Sequence, residues 1–221
     1  MKKIIKNRML TGTDLKIIAL VSMTIDHIGA MLFPEYIILR IIGRLAFPIY
    51  CFLLVEGFFH TSNRKNYLIR LGIFAIISEI PFDLAFSGKI INIANQNVFF
   101  TLFIGLLVMH FCEFASSDMS RYLMCAIGMV AAWAFQTDYG AYGVAMILGF
   151  YLFRKIKVSI YIFQIVMNVL VIGGTQAAGA LALIPIEFYN GERGGDKFKM
   201  MFYWWYPLHL MVLYIIKCIV M

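Results

Sequence analysis

Apolar residues run through the chain in long blocks separated by short polar turns, without the strict alternation that marks half-buried strands. Nine blocks stand out, at residues 15–33, 36–59, 68–86, 98–112, 122–135, 139–153, 158–173, 175–186 and 200–220. A helix crossing a bilayer needs about 20 apolar residues. The first three blocks and the last have that length, whereas the middle ones are short and 175–186 suits a re-entrant or half helix. Tight connections such as Pro34-Glu35 and Gly173-Gly174 predict adjacent antiparallel helices. The expected fold is all-α, a polytopic transmembrane helical bundle of about nine spans, with residues 1–221 forming a single domain without internal repeats.

Composition sharpens this picture. Of the 221 residues, 62% are hydrophobic and only 14% charged, against about a quarter charged in a soluble domain. A disordered chain, a fibre and an ordinary cytosolic enzyme are thereby excluded. A net charge of +7 in a soluble protein would suggest nucleic acid. Here the cations gather in short clusters between apolar blocks, so the expected partner is the lipid bilayer and not nucleic acid. With the N-terminus cytoplasmic, 13 of the 19 cations fall in cytoplasmic segments: Lys2, Lys3, Lys6, Arg8, Arg64, Lys65, Arg121, Arg154, Lys155, Lys157, Arg193, Lys197 and Lys199. Lys89 and Lys217 fall outside, and Lys16, Arg40, Arg44 and Arg70 lie within spans. This bias predicts a multi-pass protein of the cell's inner membrane with its C-terminus outside. The basic start leads to no small-residue cleavage site, so the first block reads as a retained span. Cys51, Cys112, Cys125 and Cys218 show no pairing spacing and read as free thiols.

Ionisable groups at bilayer depth cost several kcal/mol unless they face a polar interior, so each is a candidate for function. Lys16 and His27 are eleven residues apart, which returns them to nearly one azimuth of a helix, about 16 Å apart along its axis. Asp26, adjacent to His27, points elsewhere on that helix. Arg40 and Arg44 share a face just before Pro48, a residue able to kink the helix. Glu79 and Asp83 repeat that spacing in the third block. The economical expectation is that these two acids pair with the two arginines across a helix interface.

Asn97 opens the fourth block, and Asp138-Tyr139 lies in the next outer turn. The segment Tyr189-Asn190-Gly191-Glu192-Arg193, followed by Lys197 and Lys199, suits a phosphate cradle and a plain solvated loop equally. Tyr206 and His209 share a face of the last block, His209 lying deeper than an interfacial aromatic belt requires. His60 and His110, at block ends, read as ordinary polar residues. No zinc-type Cys/His spacing and no Walker, dinucleotide or nucleophile-elbow motif occurs, so no metal is expected.

Several of these words recur together: Leu15-Lys16, Asp26-His27-Ile28-Gly29, residues 40–48, Glu56-Gly57, residues 61–64, 78–84 and 97–101. They continue with Asp138-Tyr139-Gly140 and Gly143, Tyr189-Asn190-Gly191, and residues 203–209. Jointly they resemble the TraX family, integral membrane proteins linked to N-terminal acetylation of conjugative pilin. The Lys16-to-His27 pattern is similar to that of a wider group of membrane acyltransferases, which includes O-antigen acetylases and the lysosomal heparan glucosaminide acetyltransferase.

The resemblance implies an acetyltransferase that uses acetyl-CoA across the membrane, with His27 as general base or transient acyl carrier. It puts the donor's charged end near Lys16, Arg64, Lys65, Tyr189, Asn190, Gly191, Arg193, Lys197 and Lys199. Asp26, Glu79 or Asp83 would hold the imidazole tautomer and Arg44 would stabilise the oxyanion. The acceptor, a membrane-associated peptide or glycan, would approach from outside past Arg40, Asn97, Asp138, Tyr139, Tyr206 and His209. A proton-coupled transporter using the same histidine and carboxylates is the alternative, as is an assembly factor for a conjugation or secretion apparatus. The sequence leaves the acceptor and the oligomeric state open.

Overall fold

A capping box starts the first helix. The Thr11 hydroxyl accepts from the Asp14 amide at 3.3 Å, while the Asp14 carboxylate accepts from the Thr11 amide at 2.8 Å. The computed structural model describes residues 9–195 and 199–220, Lys199 by its backbone alone. Lys2, Lys3, Lys6, Arg8, Lys197 and the Lys199 side chain therefore lie outside the described residues.

The helices are α1 (Gly12–Met31), α2 (Ile37–Gly43), α3 (Ala46–His60), α4 (Arg64–Ser87), α5 (Val98–Cys112), α6 (Asp118–Ala134), α7 (Gly140–Leu152), α8 (Lys157–Ile165), α9 (Leu183–Glu187) and α10 (Lys199–Val220). A π-helix at Val166–Ile172 continues α8, and a 3₁₀ helix at Gly174–Ala182 leads into α9. Among the described residues there is no strand, only isolated bridges pairing Leu10 with Tyr189 and Gln96 with Thr137. The all-helical expectation holds.

Two local departures from the expected blocks have clear causes. The second block is broken at Arg44-Leu45, one turn before Pro48. A proline lacks the N–H for the carbonyl four residues back and its ring crowds that carbonyl, here that of Arg44. The blocks at 158–173 and 175–186 are indeed separate, and the second is mostly 3₁₀. Gly173 and Gly174, with φ of 67° and 55°, make the reversal between them.

Helices 37–60 and 200–220 are long and apolar enough to cross a membrane. Helices 98–112, 140–152 and 157–172 are apolar but shorter. α1 and α4 fall outside the first class despite their length: Asp14, Lys16 and Asp26 interrupt one, and Arg64, Lys65, Arg70, Glu79 and Asp83 the other.

α7 lies at the centre, packed against α3, α5, α6 and α8. Its Val144, Met146, Ile147 and Phe150 are fully buried with Ile49, Phe58, Leu106 and Met109. The outward faces are apolar as well. Ile69, Ile73, Ile76 and Ile80 of α4 are exposed at helical spacing, as are Leu123, Ile127 and Val130 of α6 and Leu208, Val212, Ile215 and Ile219 of α10.

α1 and α10 run parallel. Lys16 lies 5.6 Å from the Phe202 ring, Trp205 Nε1 donates to Thr24 Oγ1 at 3.0 Å, and His27 meets His209. The start of α1 is tied to the segment before α10: Leu10 N–H donates to Phe188 O at 3.1 Å and Gly12 N–H to Glu192 O at 2.8 Å. Arg64, at the start of α4, pairs with Glu113 after α5 at 3.2 Å, and Arg154 with Glu56 near the end of α3 at 3.3 Å. One end of the bundle thus gathers the described cation-rich connections.

Candidate active site

At the opposite end lies a cavity of about 370 Å³. Its wall combines the second half of α1, the α2–α3 break, the end of α4, the start of α5, the Asp138-Tyr139 turn and Tyr206 of α10. This volume is at the small end of ligand sites, which run from about 300 to 1,000 Å³.

His27 forms part of the wall, with the rings of Phe86 and Tyr206 edge-on at 5.5 and 6.0 Å. Its Nδ1 is 2.6 Å from Nε2 of His209. The two ring planes differ by 4° with centroids 4.9 Å apart. That spacing is what two imidazole radii and the N···N contact add up to, so the rings lie edge to edge rather than stacked. His209 Nδ1 is in turn 2.7 Å from the Trp205 carbonyl oxygen.

A second cluster adjoins the first. Asp26 accepts from Arg44 Nη2 at 2.6 Å on both carboxylate oxygens, and from Arg40 Nη1 at 3.0 Å. Arg40 also donates to the Asp26 carbonyl at 3.1 Å. Two guanidiniums on one carboxylate leave the cluster with one positive charge at the cavity wall, where low dielectric magnifies it. Gly43 makes the approach possible: a Cβ there would lie 2.1 Å from the Asp26 Cβ.

Two further acids face the cavity. Asp83 Oδ2 accepts from the Asn92 amide at 2.7 Å, while its Oδ1 is buried without a hydrogen bond. Asp138 is solvent-exposed where it opens onto the cavity, yet the protein packed around its carboxyl pushes it up to about 6, with Arg44 and Arg40 pulling it back. Tyr139 stacks on Phe47 with centroids 3.6 Å apart. An imidazole, fixed guanidiniums and a half-open pocket are the parts needed to move a proton and hold developing negative charge.

Residues 11–217 match the family described as TraX protein. The chain belongs to the TraX family. It is 30% identical over 233 residues, 90% of this chain and 93% of the relative, to the probable fimbrial assembly protein FimC, serogroup H1, of Dichelobacter nodosus. It is also 30% identical over 141 residues to an uncharacterized protein of Rickettsia prowazekii (strain Madrid E), covering 62% of this chain and 53% of that one. No solved structure matches it.

In this TraX chain the expected pairing of Glu79 and Asp83 with Arg40 and Arg44 is replaced by another. Both arginines bind Asp26, on the neighbouring α1. Glu79 instead accepts from the Asn97 side chain, and Asn97 caps α5 through Phe99 N–H at 3.0 Å and donates to Ala75 O at 2.8 Å. Asn97 is fully buried in this helix-joining role and, like Glu79, does not line the cavity. None of Asp26, Glu79 or Asp83 hydrogen-bonds the His27 ring; His209 does.

The residues expected around the donor's charged end are not part of the cavity. Lys16, Arg64, Lys65, Tyr189, Asn190, Gly191 and Arg193 do not line it. Arg64 is engaged by Glu113 and lies 4.2 Å over the Phe58 ring. Tyr189 is buried against Phe52, with ring centroids 5.3 Å apart, and Asn190 closes its own turn by accepting from the Glu192 amide at 2.8 Å.

Sequence reasoning missed Gly43 and a buried polar chain. Gln164 donates to Met146 O at 2.8 Å, Asn168 to Gln164 O at 2.8 Å, and Gln176 to Asn168 Oδ1 at 2.9 Å. The four-residue spacing of Gln164 and Asn168 inside an apolar block was its one visible signal.

Proposed function

We propose that this chain is an integral membrane acyltransferase, moving an acetyl group from acetyl-CoA to an amine or hydroxyl of a membrane-associated peptide or glycan at the outer side of the inner membrane. The single observation that supports it most is His27, open to the cavity beside the Arg40–Asp26–Arg44 cluster, in a chain of the TraX family. The exposed isoleucine-rich faces support the membrane, since a soluble monomer rarely exposes apolar patches above a few hundred Å². The 30% identity to a probable fimbrial assembly protein supports a place for the reaction in pilus or fimbria assembly.

The cavity has room for an acyl thioester end and an acceptor group, and the cations at the other end of the bundle lie outside it. Bound acetyl-CoA supplies an activated acyl carbon. The chain's own work is then threefold. His27 Nε2 takes the proton of the acceptor N–H or O–H as the acceptor bonds to that carbon. Arg44 faces the oxygen on which negative charge develops. The aromatic rings of Phe86, Phe47 and Tyr206 exclude water. As the C–S bond breaks, the proton on His27 passes to the departing thiolate.

The test is purified protein in nanodiscs with labelled acetyl-CoA and, as acceptors, a peptide with a free N-terminus and a glycan. Wild type should transfer label to an acceptor, and His27→Ala should lose at least about 10²-fold, the usual contribution of a general base. Absence of CoA binding together with absence of His27-dependent thioester hydrolysis would point to the transporter instead.

A further inference from the structure

His209 lies outside the list of carboxylates expected to orient His27, yet it makes the only hydrogen bond to that ring among the described residues. We propose that His209 is a positioning residue that locks His27 in the tautomer with a protonated Nδ1 and a bare Nε2.

One group in this contact cannot donate. The Trp205 carbonyl oxygen, 2.7 Å from His209 Nδ1, only accepts, so that nitrogen carries its proton. A neutral imidazole protonated at Nδ1 has a lone pair at Nε2. A second proton on His209 would set a cation edge to edge with His27, which adjoins the net positive Arg40–Asp26–Arg44 cluster, so the ring is neutral, its Nε2 accepts, and the 2.6 Å contact requires His27 Nδ1 to donate. His27 in turn keeps its lone pair on Nε2. That nitrogen has no hydrogen-bond partner among the described residues and is accessible, on a ring that lines the cavity. The partner of one nitrogen decides which form the ring takes.

The reference point of this chain is itself held. Trp205 is tied to α1 through its indole N–H, which donates to Thr24 Oγ1 at 3.0 Å, and Thr24 donates to Leu20 O at 2.8 Å. The parallel packing of α1 and α10 thus sets the tautomer through one carbonyl. A carboxylate on Nδ1 would do the same work with a charge; a neutral imidazole does it without adding an anion next to Asp26, Asp83 and Asp138.

The catalytic use of this tautomer rests on the acyl-transfer reading, whereas the tautomer itself does not. Full-length protein carrying His60→Asn and His110→Asn, with ¹⁵N-labelled histidine, leaves the two rings of interest to be read by two-bond ¹⁵N–¹H correlation in micelles. Both should show a protonated Nδ1 and a bare Nε2, and diethyl pyrocarbonate should modify His27 faster than His209. In His209→Ala the His27 spectrum should shift towards the Nε2-protonated form and its modification should slow several-fold. His209→Gln, whose amide oxygen can take the acceptor position of Nε2, should restore both.

If transfer is found, His209→Ala should lower it on the order of 10²–10⁴-fold, as loss of a correctly presented base does, with His209→Gln keeping most of it. A protonated Nε2 on His27 in the otherwise native protein overturns the proposal. So does a His209→Ala protein whose His27 spectrum is unchanged, or a His209→Gln protein as impaired as His209→Ala. Absence of transfer alongside the expected spectra would instead count against the acyl-transfer reading alone.

Discussion

Asp26 is held by two arginines, with its side chain only 11% exposed and that of Arg44 only 15%. Removing its charge strands two guanidiniums in a poorly solvated site. Asp26→Ala should cost about 3–5 kcal/mol in reversible denaturation in micelles, whereas Asp118→Ala, at a pair whose acid is 78% exposed, should change little. Gly43→Ala leaves every charge in place but puts a methyl group 2.1 Å from the Asp26 Cβ. It should separate α1 from α2 and cost activity and stability together. Asp138 offers a pH test. Its folded value, raised by the surrounding protein to about 6 against an ordinary 3.8, means that the ionised carboxylate opposes folding, by a small amount because the exposed side chain is screened by water. That penalty is absent below about pH 4 and grows as pH rises through 6. Asp138→Asn should therefore melt higher than wild type at pH 8, with the gain fading as melts are repeated towards pH 4.

Among the elements, the irregular stretch after α8 depends on its polar chain. A π-helix followed by a 3₁₀ helix leaves backbone and side-chain groups that ordinary α-helical bonding does not serve. Asn168, completely buried, links Gln164 to Gln176, and a Cβ on Gly179 would come within 2.4 Å of its Oδ1. Asn168→Leu removes both bonds and strands the Gln176 amide, a loss of about 1–3 kcal/mol; thermal melts and hydrogen exchange localised to residues 164–180 would show it. Gly179→Ala should loosen the same region from the opposite side. The break between α2 and α3 belongs to this scale too, because it turns Arg44 into a helix-end residue at the cavity wall.

On the scale of the whole molecule, the cavity and the cation-rich connections occupy opposite ends, and apolar side chains cover the faces between. The proposed membrane orientation gives a direct test. In a background lacking Cys51, Cys112, Cys125 and Cys218, a Lys89→Cys variant should react with an impermeant maleimide added to intact cells. Ser62→Cys should react only after permeabilisation. Labelling of both from the same side would refute the crossing of α4.

Helical class, approximate helix boundaries and the short set of polar residues that gather around the cavity were already legible in the linear chain. Those are local matters: apolar blocks, capping residues such as Thr11 and Asn97, and breakers such as Pro48 act within a few positions of themselves. Even the alignment of Lys16 with His27 followed from helix geometry, and both now meet α10. Partnership is not local. His27 and His209 are 182 positions apart, and their contact depends on the parallel register of α1 and α10, which no periodicity encodes. Tertiary structure likewise decided that Asp26, not Glu79 or Asp83, takes the arginines, because Gly43 lets α2 approach α1 more closely than any residue with a Cβ allows.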